Sequence, residues 1–217
     1  MALNEQDVFD LYNRANASWF FDYNGNPEAP HAELTSGLCS DGYLDTPLIL
    51  CDPRKAELLA DELARRLFYT VPNWVIGSPY SAITFSYEVA RKLRAYHGHT
   101  EKDQTDAKRM RWRRWAIGES ARVLQVEEII VTLGTTLEVR RAVEEENPRP
   151  VQFLPVVGTI VYRPADLNAP TPFEIVALAR REIKTWGREV CPLHKQGSRA
   201  LRPKEHWAEF IDSSIRQ

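Results

Sequence analysis

The chain has 217 residues, a net charge of −2, 43% hydrophobic residues and 27% charged ones. That length can bury a full core, and the nearly balanced charge excludes a general nucleic-acid-binding or membrane-surface role. No apolar run approaches the ~20 residues needed to cross a bilayer, and the start, Met1-Ala-Leu-Asn-Glu-Gln-Asp, lacks the basic and apolar regions of a signal peptide. Three widely spaced cysteines, Cys39, Cys51 and Cys191, make no disulfide framework, so a cytoplasmic protein is expected.

Asn4, with Asp7 three residues on, caps an amphipathic helix over 4–15 that turns Val8, Leu11, Tyr12 and Ala15 to one face. Residues 16–50 read as irregular, with strand-like pieces at Ala32–Leu34 and Tyr43–Leu50. Asp52-Pro53 opens a helix, a cap residue followed by proline at the first helical position, and Leu59, Leu63 and Leu67 continue it as a core face. A strand at Trp74–Ile76, a turn at Gly77-Ser78-Pro79 and a helix over 82–96 follow. Residues 97–122 are basic and turn-rich. Beyond them the pattern gives a strand over 123–130, a helix over 136–146 and an apolar strand over 156–162. Alternating strands and helices with continuous apolar strands predict an α/β fold, a central parallel sheet flanked by helices. The sequence reads as a single domain, with residues 1–50 and 165–217 forming a cap around a 51–164 core. Ligands of such sheets bind at the carboxyl ends of the strands, where Gly77–Ile83 and Glu127–Thr136 fall.

The most informative stretch is 123–138, an apolar strand closing on Glu127 and Glu128, then a Thr/Gly turn into a charged helix. A turn at a helix N-terminus offers backbone N–H groups to a phosphate. The two acids before it can accept hydrogen bonds from ribose hydroxyls or hold a divalent cation. The order resembles the phosphoribosyl-pyrophosphate (PRPP) signature of the type I phosphoribosyltransferases, two acids followed by Thr-Thr-Gly-Gly-Ser/Thr. Other segments resemble the orotate phosphoribosyltransferases in the same order. They are Thr35–Tyr43, near the base site; Asp52-Pro53-Arg54; Trp74–Ala90, the strand, pyrophosphate turn and helix; Thr100-Glu101-Lys102 with Arg113-Arg114, the mobile loop; Gly158–Arg163; and Cys191–Gly197, similar to a Cys-Pro-x-Cys-x-x-Gly tail segment.

The resemblance implies a phosphoribosyltransferase-type fold and Mg²⁺-dependent transfer of ribose 5-phosphate from PRPP to orotate, a step of pyrimidine biosynthesis. It implies a homodimer with no nucleic-acid or membrane partner. Lys102, Glu127 and Glu128 take the catalytic positions. Thr132, Gly134, Thr135 and Thr136 fall around the 5′-phosphate; Ser81, Ala82, Arg113 and Arg114 fall near pyrophosphate; and Ser36, Gly37 and Arg163 fall near the base. Arg163 suits a carboxylate because its planar fork binds two oxygens at once.

Several positions depart from that pattern. Glu-Glu stands for Asp-Asp or Glu-Asp, moving the second carboxylate by about 1.5 Å. Leu133 replaces a glycine, where a side chain can block positive φ or close approach to phosphate. Val131 replaces a threonine, Ser78-Pro79 and Ser81-Ala82 replace Pro-Ala and Gly-Gly, and Thr35 replaces a lysine. A second expectation follows, a phosphoribosyltransferase-like binding or regulatory protein, as does a third, transfer to another base. No metal-ligand set of the chain's own is expected: Cys191-x-x-His194 has half a zinc site's spacing, but no second Cys/His pair does. His97 and His99 read as surface histidines, and Trp112-Arg-Arg-Trp115 as packing plus loop.

Overall fold

The computed structural model describes residues 2–21, 26, 29–106 and 108–215; residues 22–25 and 27–28 of the expected irregular stretch lie outside that set. The elements run α1 (Glu5–Arg14), β1 (Ser18–Phe20), β2 (His31–Glu33), β3 (Cys39–Ser40), β4 (Gly42–Leu44), α2 (Pro47–Leu50) and α3 (Pro53–Leu67). Then come β5 (Trp74–Gly77), α4 (Ser81–Leu93), β6 (Tyr96–His99), β7 (Glu101–Lys102), β8 (Met110–Arg111), β9 (Arg122–Ile130), α5 (Gly134–Glu146) and β10 (Gln152–Tyr162). The chain ends with β11 (Glu174–Arg180), β12 (Thr185–Trp186), α6 (Pro192–Lys195), β13 (Ala200–Leu201) and α7 (Pro203–Ile215).

Five strands in the order β11-β10-β9-β5-β6 form the central sheet, and every neighbouring pair is parallel. Pro155 sits where the β9–β10 register shifts, between Phe153 and Val157. A proline cannot donate to a ladder, so a strand tolerates it where pairing is interrupted. One face of the sheet carries α3 and α4, whose Leu59, Leu63, Leu67, Phe85 and Val89 pack on Val75, Leu124, Val126 and Ile160. The other face carries α5, whose Val139, Ala142 and Val143 meet Ile76 and Val123. Gly158 lets α3 approach: a Cβ there would come within 2.8 Å of Leu67 Cδ1 and 3.1 Å of Leu63 Cδ2. The buried Glu62 of α3 accepts from Arg65, Arg66 and the backbone of Leu3, while Arg66 also reaches the carbonyls of Leu3 and Ala177. That network ties the chain's start to β11.

A second, four-stranded sheet, β12-β3-β2-β13, joins the N-terminal hairpin to C-terminal strands. Its strands are only two or three residues long, and β13 pairs with β2 in parallel. Together with α7, it forms a hood over the carboxyl ends of the central strands.

The structure corrects the sequence reading in four places. Tyr43–Leu50 is not one strand: β4 stops at Leu44 and Pro47 begins α2. The segment 165–217 is not all cap, because β11 is an edge strand of the central sheet. The helix expected from 136 starts at Gly134, which draws the turn before it tighter. The basic 97–122 stretch is not all turns: β6 runs into it from Tyr96, and the β7–β8 hairpin lies within it.

Candidate active site

The carboxyl ends of β5, β9 and β10 open into a cavity of about 590 Å³. Ser78 and Pro79 follow β5; Glu127, Glu128 and Ile129 belong to β9; Val131, Thr132, Thr135 and Thr136 come from the turn and first residues of α5; Arg163 follows β10. The hood closes the cavity with Leu34, Thr35 and Ser36 from the β2–β3 turn, Tyr43 from β4 and Lys204 from α7.

The neighbouring acids occupy different environments because adjacent strand residues face opposite ways. Glu127 is 2% exposed. It accepts from Ser78 Oγ at 2.5 Å and from Gln125 Nε2 at 2.8 Å. Gln125 is itself oriented by donating to the Thr136 carbonyl at 3.1 Å and accepting from Arg140 Nε at 3.1 Å. Burial, then the charge of Glu128, pushes the Glu127 carboxyl up to about 8. Burial also raises Glu128, against backbone N–H groups that hold it down. Glu128 forms no ion pair among the described residues.

Arg163 is the site's buried cation, 6% exposed, with Nε and Nη1 lacking any hydrogen-bond partner among the described residues. Burial lowers its pKa, and Tyr43, Tyr12 and Asp41 partly offset that. The guanidinium stays charged at neutral pH, since arginine does not deprotonate in proteins. A buried, unpaired guanidinium is costly, and its natural complement is an anion from outside the chain.

Leu133 does not plug the phosphate turn. Its φ is −80°, comfortable for leucine, and its side chain packs beside Ile130, Val157, Tyr162 and Phe173, away from the cavity. The first N–H groups of α5 are left to an incoming anion, since Leu133 at its N-cap provides no side-chain cap.

The structure thus brings Glu127, Glu128, Thr132, Thr135, Thr136, Ser36 and Arg163 around one space. It leaves other expected residues outside. Gly37, at φ 80°, makes the hairpin turn rather than lining the cavity. Gly134 is the first residue of α5, with only its backbone to offer. Ser81 and Ala82 begin α4, and Ala82 is buried against the interior, so their side chains line no part of the space. Lys102 and Arg114 line a separate opening of about 510 Å³ that shares Pro79 with the first. Arg114 pairs with Glu101, and Arg113 is exposed outside both openings. Sequence reasoning missed Lys204 and Tyr43. Lys204 stands beside Thr35, where the family pattern places a lysine; nothing local marks it, because only the fold carries α7 there.

Two other expectations change. His97 is half-buried, bonded to Ser86 Oγ at 2.8 Å, and burial lowers it to about 4, so it is not a surface histidine. Cys191 and His194 do meet a second pair, His31 and Cys39, brought to them by the fold and not by a local ligand spacing.

No protein-family model matches the chain. Individual relatives do. The orotate phosphoribosyltransferase of Pelotomaculum thermopropionicum is 34% identical over 186 residues, covering 84% of this chain and 93% of that protein. That of Caldanaerobacter subterraneus subsp. tengcongensis is 32% identical over 174 residues, covering 80% and 87%. The chain belongs to the orotate phosphoribosyltransferase family. The solved orotate phosphoribosyltransferase from Aeropyrum pernix shares the fold, with a TM-score of 0.54 at 16% identity over 80% of this chain and 93% of that one. Within that family frame, the Leu133 departure is absorbed by packing, and Lys204 occupies space near the lysine missing at Thr35.

Proposed function

We propose that the chain transfers ribose 5-phosphate from PRPP to orotate, giving orotidine 5′-phosphate and pyrophosphate. One observation carries this reading beyond family membership. The unpaired guanidinium of Arg163 lines the same cavity as the acid pair and the threonine turn. An orotate carboxylate supplies the anion Arg163 lacks, and its bidentate fork orients the ring.

Each group then has a task. The hydroxyls of Thr132, Thr135 and Thr136, with the first N–H groups of α5, hold the 5′-phosphate. Glu128 accepts from the ribose hydroxyls; Glu127, fixed by Ser78 and Gln125, provides the second contact. Departure of diphosphate from C1 leaves positive character on the sugar, so flanking cations stabilise the leaving oxygens. Lys204 supplies one from the hood, and Lys102 supplies another from β7. Magnesium fits this donor set, an oxygen-only site whose carboxylates sit beside space for phosphates. When bound with the diphosphate, it supplies further positive charge to the leaving group. Glu128 is the residue that would hold it.

A homodimer completes the picture. In one chain Lys102 lies outside the acid-lined cavity, which supports its service to a partner's site. Phe68, Tyr69 and Val71 form an exposed apolar run after α3 that suits a subunit contact. No helix among the described residues is long and apolar enough to cross a membrane, and we place the reaction in the cytoplasm.

The test is PRPP-dependent loss of orotate absorbance with magnesium. Consumption of orotate is expected. Binding of PRPP with no consumption would leave a binding protein instead.

A further inference from the structure

The hood holds a cluster that the transfer reaction does not use. His31 begins β2, Cys39 begins β3, Cys191 precedes α6 and His194 lies within it. One donor atom from each falls within 4.8 Å of all the others. Cys39 Sγ lies 3.6 Å from His194 Nδ1, and Cys191 Sγ lies 3.8 Å from His31 Nε2. Four donors around zinc, with Zn–S of about 2.3 Å and Zn–N of about 2.05 Å at the tetrahedral angle, stand about 3.6 Å apart across each S···N edge. The two S···N contacts, at 3.6 and 3.8 Å, lie near that figure. A sulfur–imidazole hydrogen bond explains either contact alone, but not the convergence of all four donors.

The surroundings are those of a built site. His31, Cys39 and Cys191 are buried. His31 Nδ1 lies 2.9 Å from Ser198 Oγ, which in turn donates to the Ala29 carbonyl at 2.6 Å. The hydroxyl's proton is thereby committed, so His31 Nδ1–H donates to Ser198 and the lone pair of Nε2 is left facing Cys191. That is the outer support a metal-binding histidine uses to fix its tautomer. Cys191 and His194, three residues apart, share one face of a helical turn. Gly197, at φ 91°, reverses the chain after them, and Ser198 N bonds the Leu193 carbonyl at 3.1 Å. One turn therefore presents two donors, the supporting hydroxyl and the strand β13 that pairs with β2.

We propose that His31, Cys39, Cys191 and His194 bind a structural zinc ion that staples the C-terminal segment to the N-terminal hairpin. The chemistry selects zinc: two thiolates and two imidazoles in a closed tetrahedral set leave no open position for catalysis. The consequence reaches the cavity. His31 and Cys39 bracket the turn that carries Thr35 and Ser36, and the stapled segment leads into α7 with Lys204. Strands of two or three residues have little cohesion of their own, and the ion supplies what their ladders lack. This site stands whether or not orotate is the acceptor.

The experiment measures metal content by mass spectrometry on the full chain, expressed with zinc, kept reduced and desalted. About one zinc per chain is expected. Cys39→Ser and Cys191→Ser lose it, His194→Cys keeps it, since three thiolates and one imidazole are also a zinc set, and Ser198→Ala weakens retention about tenfold or more. Cobalt exchanged into the wild-type chain gives the visible bands of a tetrahedral thiolate complex. Should the serine variants fail to fold, wild type decides: chelator releases the ion and lowers the melting temperature. Metal-free protein after reduction and zinc reconstitution overturns the proposal. So does a Cys39–Cys191 disulfide as the isolated state, or unchanged zinc in both serine variants.

Discussion

Arg163→Met separates what the guanidinium does for the fold from what it does for the ligand. Methionine keeps much of the unbranched stem, so packing at the β10 end is largely preserved. The arginine is 6% exposed, with two nitrogens unpartnered and no ion pair among the described residues, so the free protein loses no such contact when it is removed. Replacing a buried unpaired charge with an apolar side chain is neutral or stabilising. The melting temperature should therefore hold or rise. A carboxylate gripped by the fork makes two charge-assisted hydrogen bonds, each about 1.5–3 kcal/mol. Allowing for imperfect geometry, a loss of about 3–4 kcal/mol lowers kcat/KM for orotate roughly 150- to 900-fold. PRPP affinity, which the proposal assigns to the threonine turn and acids, should change little. The assay is initial-rate orotate consumption over both substrates, with calorimetric PRPP binding and a melting curve on the same preparation. Arg163→Lys should not restore the rate, because an ammonium lacks the planar fork. If Arg163→Met keeps kcat/KM for orotate within about threefold, the carboxylate assignment is wrong.

Three other outcomes follow from the geometry. The Glu127 carboxyl, raised from 4.5 to about 8, keeps its proton in the fold while the unfolded chain has lost it, so stability from this group is full below pH 4.5 and drains as pH rises to 8. Glu127→Gln, neutral throughout and able to keep both hydrogen-bond partners, should remove a decline of up to about 1.4 kcal/mol per pH unit, read by denaturant midpoints across that range. Mixing inactive Lys102→Ala with inactive Arg163→Met chains should recover up to about a quarter of wild-type activity, because one site of each mixed dimer is then intact; no recovery means that Lys102 serves its own chain. Leu133→Gly should not raise turnover, since Leu133 already leaves the turn open at φ −80°; it should cost about 1 kcal/mol of stability through lost contact with Ile130 and Phe173.

What the sequence made legible was local. The acids and turn of 127–136 sit where strand periodicity placed them, and the Asn4/Asp7 capping box and the Asp52-Pro53 helix start both form. These signals need only near neighbours. The sequence reading leaves β11 in the cap although residues 175–179 are a continuous apolar run between Glu174 and Arg180, because sheet membership depends on pairing with β10, not on composition. Lys204 and the His31/Cys39 pair are less accessible still. Their partners lie about 160 residues away, brought near by the β2–β13 pairing, and no spacing rule reaches across that separation. The Leu133 departure misled in the other direction. A side chain in place of glycine implied obstruction, but the turn takes an ordinary negative φ and the leucine finds an apolar cluster.

The charges around the cavity point to a site built incomplete. Arg163 is a buried cation without an anion among the described residues, and Glu127 is a buried acid that burial and the charge of Glu128 push up to about 8. Neither imbalance serves the free protein, and each costs stability by desolvation. Both residues line one cavity without pairing with each other, which leaves both open to a ligand. In the proposed reaction, a carboxylate from one substrate meets Arg163 while the phosphorylated sugar of the other meets the acids. Binding then gains the relief of two penalties already built into the fold, in place of meeting groups that water had satisfied. Stabilising substitutions at either position should accordingly weaken function, and the positions where they do so mark the extent of the site.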